Sequence, residues 1–152
     1  MSLSNAEFEA LISDAGKQIV GDIQWAEDED HSPCLCFRAE VRSGAGWPMF
    51  INGNFNPLIP RTSFHIIHRQ HGRIYGLDHG QDHRNPDGNL IGEKHKHRWK
   101  ESHRDREAYV PPDITAPPSD PVSVWTQFCS EARIVHQGTL AAPPPIQPDL
   151  VL

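Results

Sequence analysis

Hydrophobic and polar positions divide this chain into a helical opening, a strand-rich middle and a helical close. Ser4-Asn5-Ala6-Glu7 has the Ser-x-x-Glu spacing of a capping box, and Phe8, Leu11, Ile12, Ala15 and Ile19 then recur at helical intervals. The pattern predicts an amphipathic helix over about 5–20, weakened at Gly16 by up to ~1 kcal/mol relative to Ala and ended at Gly21. The period then changes to two. Leu35, Phe37, Ala39 and Val41 share one face, and Cys34, Cys36, Arg38 and Glu40 share the other, as in a half-buried strand. Further strands are predicted over 23–25, 47–52, 63–69 and 73–77, punctuated by Ser43-Gly44-Ala45-Gly46, Asn52-Gly53 and Gln70-His71-Gly72. Short connections between consecutive strands favour an antiparallel meander.

Regular periodicity is lost from 78 to 118. Within that stretch Asn85-Pro86-Asp87-Gly88 reads as a turn, with Pro presetting φ and Gly supplying a positive φ. Such a turn doubles the chain back and brings Asp82-His83 toward His95-Lys96-His97. Asp120-Pro121 then reads as an N-cap followed by Pro at the first helical position, and Val122, Trp125, Phe128, Cys129 and Ala132 predict a helix over about 121–134. The expected fold class is α+β: an antiparallel sheet flanked by an N-terminal and a C-terminal helix, with a His-rich irregular segment at one edge. Residues 1–140 form the expected domain, and 141–152, rich in Pro, read as a polyproline II tail.

Composition bounds the function classes. A length of 152 residues suits one core, and no stretch approaches the roughly 18 apolar residues of a membrane span. The opening Met1-Ser2-Leu3-Ser4-Asn5-Ala6-Glu7 lacks the basic-then-apolar pattern of a signal peptide, and three cysteines are too few for a disulfide scaffold. A cytoplasmic protein with reduced thiols is expected. Net charge is −6, but the average conceals a local excess of base. Between Arg61 and Val110 ten Lys or Arg stand against seven Asp or Glu, so this segment carries +3 and the remainder −9. An anion-receiving site on an acidic body fits that asymmetry.

Eight of the ten histidines fall between His65 and His103, in the same basic segment. Imidazole titrates near neutrality, so it can exchange a proton, ligate a metal or add charge. Three chemistries fit. His95 and His97, if strand-like, point to one face, and His83 or Asp82 could complete a three-ligand set for zinc or a similar divalent ion. Without metal, His83, His95, His97 and Arg98, with Arg104 and Arg106, could supply base, acid and charge stabilisation for phosphodiester cleavage. Binding alone would use Lys94, Lys96, Arg98, Lys100, Arg104 and Arg106 on phosphates, with Trp99 or Tyr109 stacking on a base. The bland reading is a solvated mixed-charge loop in which Trp99 anchors the core and Glu101, Asp105 and Glu107 pair the cations. Cys34-Leu35-Cys36 places two thiols on one face, which Cys129 could join, but reads better as a pair of inert thiols.

The run Ile74-Tyr75-Gly76-Leu77-Asp78, then His83-Arg84-Asn85-Pro86-Asp87-Gly88, then His95-Lys96-His97-Arg98-Trp99, and finally the helix with Phe128-Cys129, resembles a small uncharacterised family found in bacteria and phages. That resemblance covers most of the chain and implies no particular activity. More loosely, the Asp followed by His83 and the later His95-Lys96-His97 is similar to TumE-type toxins of prokaryotic toxin-antitoxin pairs, which implies action on RNA and a cognate antitoxin partner. The functional expectation is a toxin-like RNA-cleaving or RNA-binding protein using the His and Arg cluster. A module that binds another protein without catalysis, or a metal-binding protein, is the alternative.

Overall fold

The computed structural model describes residues 2–145. Its first helix, α1 (Asn5–Ser13), begins at the predicted capping box: Glu7 N donates to Ser4 Oγ at 3.0 Å, and Ser4 N donates to Glu7 Oε1 at 3.0 Å. The helix buries Phe8, Leu11 and Ile12 but stops well short of residue 20. Asp14 turns the chain by accepting from Gly16 N, and Lys17 Nζ donates to the carbonyls of Leu11, Ile12 and Asp14 at 2.7, 3.0 and 2.6 Å. With its last carbonyls taken from the side, the helix cannot propagate, and the next residues leave as a strand.

The described residues contain nine strands: β1 (Lys17–Val20), β2 (Ala26–Glu27), β3 (Leu35–Ser43), β4 (Met49–Asn56), β5 (Arg61–His68), β6 (Gly72–His79), β7 (Lys94–Arg98), β8 (Ala108–Tyr109) and β9 (Ile134–Gln137). The second helix is α2 (Pro121–Glu131). One sheet holds them in the order β8-β7-β6-β5-β4-β3-β1-β9, with β2 alongside β3, and every pairing is antiparallel except β1 with β9. The architecture is α+β, as the patterning predicts.

Three local expectations change. Asn52-Gly53 is not a turn but the middle of β4, because the Phe37 ring of β3 lies over Gly53, where a Cβ would stand 2.2 Å from it. The 78–118 stretch is less irregular than its pattern suggests, since it supplies the end of β6 and all of β7 and β8. The 23–25 strand reduces to a bridge between Ile23 and Leu140, and Ala141 N continues it by donating to the Ile23 carbonyl at 2.9 Å. The expected tail thus starts packed on the sheet, while 146–152 lie outside the described residues. Among the described residues, no helix is long and apolar enough to cross a membrane.

The two faces of the sheet differ in kind. One is apolar and meets α2, where Phe37 and Phe64 pack edge-on against Trp125 with ring centroids 5.5 and 5.0 Å apart. Asp120 caps α2 by accepting from Ser123 N at 3.2 Å, and Val124, Trp125, Phe128 and Cys129 are its buried stripe. The opposite face is polar. Register sets two cross-strand rows there, Arg38-Asn52-His65-Gly76-His97 and Cys36-Asn54-Ser63-Asp78-His95. Because side chains alternate along a strand, His95 and His97 face this side while Lys94, Lys96 and Arg98 face the helices.

Candidate metal centre

Three of the predicted residues converge. Ligand nitrogens of His83, His95 and His97 all lie within 4.8 Å of one another. His95 and His97 sit two residues apart on β7, and His83 reaches them from the 80–92 loop. The Asn85-Pro86-Asp87-Gly88 turn folds that loop back as the sequence predicts: Gly88 has φ +89°, and Arg84 and Leu90 form a bridge across it.

Each of the three rings is anchored on its outer nitrogen. His95 Nδ1 meets the Gly92 carbonyl at 3.1 Å, His97 Nδ1 the Asp105 carbonyl at 2.7 Å, and His83 Nε2 the Arg106 carbonyl at 2.8 Å. A carbonyl only accepts, so each of those nitrogens carries the hydrogen, and the other nitrogen of the ring is left for the centre. For His95 and His97 that inner nitrogen is Nε2, and both aim at one carboxylate oxygen, Asp78 Oδ2, at 3.4 and 3.1 Å. Both rings are deeply buried, 2% and 3% exposed.

Asp78 is the residue that sequence reasoning missed, having nominated Asp82 as the nearby carboxylate. Asp82 lines the same cleft, but Asp78 is the cross-strand partner of His95 and faces the imidazoles directly. Its other oxygen, Oδ1, bonds His65 Nε2 at 3.0 Å. Burial pushes the Asp78 carboxyl up, but hydrogen bonds from His65, His95 and His97 outweigh it and hold the group well below the usual carboxylate range. His83 is shifted down, chiefly by burial and further by His97 and His95, against the Arg106 carbonyl that favours its charged form. Gly76 makes room for this arrangement: a Cβ there would stand 2.3 Å from His65 Cδ2. The signal available in the sequence was the period-two register of 73–77, which the next residue, Asp78, continues on the face of Gly76.

The centre opens into a cleft of about 400 Å³ on the polar face, rimmed by Arg73, Gln81 and Arg106. Arg73 is ion-paired with Asp105, the residue whose carbonyl holds His97.

The remaining predicted site residues are dispersed. Arg98 does not join the histidines, because the alternation of β7 turns it to the other face, where it grips Glu9 of α1 at 2.7 and 2.8 Å. Lys94 donates to the Ile114 carbonyl at 2.6 Å on that face as well. Lys96 is wholly buried between Asp113 and Glu131, and Trp99 is a core residue whose Nε1 donates to the Leu3 carbonyl at 2.9 Å. Neither is disposed to touch a nucleic acid. Lys100 pairs with Glu107, and Arg104 bonds the His71 carbonyl over the Trp99 ring. Of the six residues expected to bind nucleic acid, only Arg106 lines the cleft with the histidines. Tyr109 bonds Glu131, and Cys129 is buried in α2, across the sheet from Cys36.

Fold and site together define an α+β protein with a histidine-carboxylate cluster on the open face of its sheet. The chain belongs to a family of unknown function, DUF6978, which matches residues 3–134. No curated protein and no solved structure matches it.

Proposed function

We propose that this protein binds a divalent transition metal through His83 Nδ1, His95 Nε2, His97 Nε2 and Asp78 Oδ2, and that the ion expands to a fifth ligand, a water from the adjoining cleft, which it activates for hydrolysis. One observation carries the reading. Two buried imidazoles, each already donating from Nδ1, turn Nε2 toward the same carboxylate oxygen. Without a cation between them, a proton must sit on an Nε2 for it to bond Asp78, and each such proton makes a buried imidazolium. A single dication satisfies both nitrogen lone pairs and the carboxylate at once. The spacing suits it. Bonds of about 2.0–2.1 Å in a tetrahedron leave ligand atoms about 3.3–3.4 Å apart, close to the 3.1 and 3.4 Å separations from Asp78 Oδ2. His83, whose ligand nitrogen lies within 4.8 Å of those of His95 and His97, closes the set by a movement of its loop toward them. Carbonyl partners on the outer nitrogens, and His65 on the far oxygen of Asp78, are the supporting shell that fixes tautomers and ligand orientation.

An N3O donor set suits zinc, and equally iron, copper or nickel. Hydrolysis follows from the cleft: an ion there lowers the pKa of bound water toward neutrality, and Arg73 and Arg106 border the space an anionic substrate would fill. A phosphodiester, RNA first, is the substrate class to offer. Protein purified without a nickel column and dialysed against zinc should retain one ion per chain, and its melting temperature should fall on chelation, since a ligand of the native state alone adds stability. Zinc binding that persists unchanged in an H95A/H97A variant, or no binding at all, would sink the reading. Binding without RNA cleavage would keep the centre and remove the substrate.

A further inference from the structure

Across the sheet from the histidines, Lys96 points into the packed face and is 0% exposed. Its Nζ stands 2.7 Å from Asp113 Oδ2 and 2.6 Å from Glu131 Oε2. Tyr75 and Tyr109 both donate to Glu131 Oε1, the Tyr109 contact at 2.9 Å, which leaves Oε2 turned to the lysine. The rings of Tyr75 and Phe128 enclose the ammonium, with centroids 5.5 and 5.9 Å away. Asp113 Oδ1 is buried and has no hydrogen-bond donor among the described residues.

We propose that Lys96 and Asp113 condense to an intramolecular isopeptide bond, with Glu131 as the proton carrier. A lysine amine, a carboxyl in contact with it, a second carboxylate touching the same nitrogen and an aromatic enclosure are the parts this reaction needs. Glu131 takes one proton from the Lys96 ammonium and passes it to the Asp113 carboxylate, giving a neutral amine beside a neutral carboxylic acid. The amine nitrogen attacks Asp113 Cγ. Glu131 then removes a second proton from that nitrogen and delivers it to the departing hydroxyl. One C–N bond forms, one C–O bond breaks, water leaves, Glu131 is regenerated and nothing is oxidised or reduced.

The two carboxyl groups are suited to these unequal roles. Burial and the neighbouring Glu131 raise Asp113 above its ordinary range, although Lys96 opposes them, which favours the protonated, electrophilic form. Glu131 is raised by burial, but hydrogen bonds from Asp113, Lys96 and Tyr75 outweigh this and bring it down to about 2, so it enters the reaction as an anion. Lys96 Nζ is already held at 2.7 Å from Asp113 Oδ2, so little translational freedom remains to be lost on the way to attack. The rings shield the Lys96 nitrogen, whereas the Asp113 and Glu131 side chains stay 29% and 30% exposed.

Intact mass measured on the denatured full-length chain tests this directly. The wild-type protein should be lighter than its sequence by one water molecule, and fragmentation should show the Lys96 and Asp113 peptides joined. E131Q should have the full sequence mass. A wild-type chain at full mass after prolonged incubation would overturn the proposal and make the group an ion triad. A water-deficient E131Q chain carrying the same cross-link would overturn the role given to Glu131. Because the first measurement needs no variant, a failure of E131Q to fold leaves the proposal open to refutation.

Discussion

Adding one methyl group at Gly76 should disable the support of Asp78 without replacing any proposed metal ligand. In the native geometry the His65 ring lies across Gly76, and a Cβ there would come within 2.3 Å of His65 Cδ2 and 3.2 Å of the Phe64 carbonyl oxygen. Carbon atoms in ordinary contact sit about 3.5–4.0 Å apart. The ring must therefore retreat by more than an ångström, which breaks its 3.0 Å bond to Asp78 Oδ1. A hydrogen bond to a buried carboxylate is worth about 1.5–3 kcal/mol. Ala in place of Gly within a strand returns about 0.5–1 kcal/mol, so G76A should lose about 0.5–2.5 kcal/mol in total. Urea unfolding of the chelated wild type, G76A, H65A and G76A/H65A separates the terms. In the H65A background only the 3.2 Å approach to the Phe64 carbonyl oxygen remains, so the same methyl should cost far less, and the cycle should show a coupling of about 1.5–3 kcal/mol. Zinc affinity of G76A should fall about 10–100-fold, because an unsupported ligand is poorly oriented. Equal costs of G76A with and without His65 would refute the account of this glycine.

Other outcomes follow from the same geometry. Asp78 is held below its ordinary range in the fold, so the stability it contributes is complete above about pH 4 and is lost as pH falls further, where the unfolded chain binds the extra proton. Chelated D78N should therefore show a shallower loss of stability than wild type in thermal melts between about pH 4 and pH 2, and parallel curves would contradict the linkage. Replacing Lys17 with Met strips three carbonyls at the end of α1 of a buried donor, so K17M should unfold about 2–4 kcal/mol more easily by urea titration; a change below about 0.5 kcal/mol would mean water replaces the ammonium. Zinc titrations of single variants should rank H97A and H95A as more damaging than H83A, since the first two sit on a strand in register with Asp78 and His83 reaches in from a loop; the reverse order would argue against Asp78 as a ligand.

Local rules were enough for the ends of the fold. The Ser4 and Glu7 capping box, the Asp120-Pro121 start of α2, the period-two run of β3 and the turn at Gly88 each depend on residues a few positions apart, and each stands where the pattern puts it. Convergence of His83, His95 and His97 was legible for the same reason, since one short turn and one alternating strand bring them together. Tertiary structure decided what depended on distant partners. Residues Lys17–Val20 share a helical spacing with α1 but form a strand, because β3 and β9 supply neighbours on both sides and Lys17 closes the helix end. Asp78 shares the period-two face of β6 with Gly76, but only the pairing of β6 with β7 sets it opposite His95 and so in the centre. Lys96 reads as phosphate-facing in a basic run, and Trp99 as either a base-stacking ring or a core anchor; both are buried. Asp113 and Glu131 stabilise the charge of Lys96 from 17 and 35 positions away, and the Leu3 carbonyl accepts the indole hydrogen of Trp99 from 96 positions away. Burial of a polar group is stable only where a partner meets it, and which partner does so is fixed by how the chain folds back on itself.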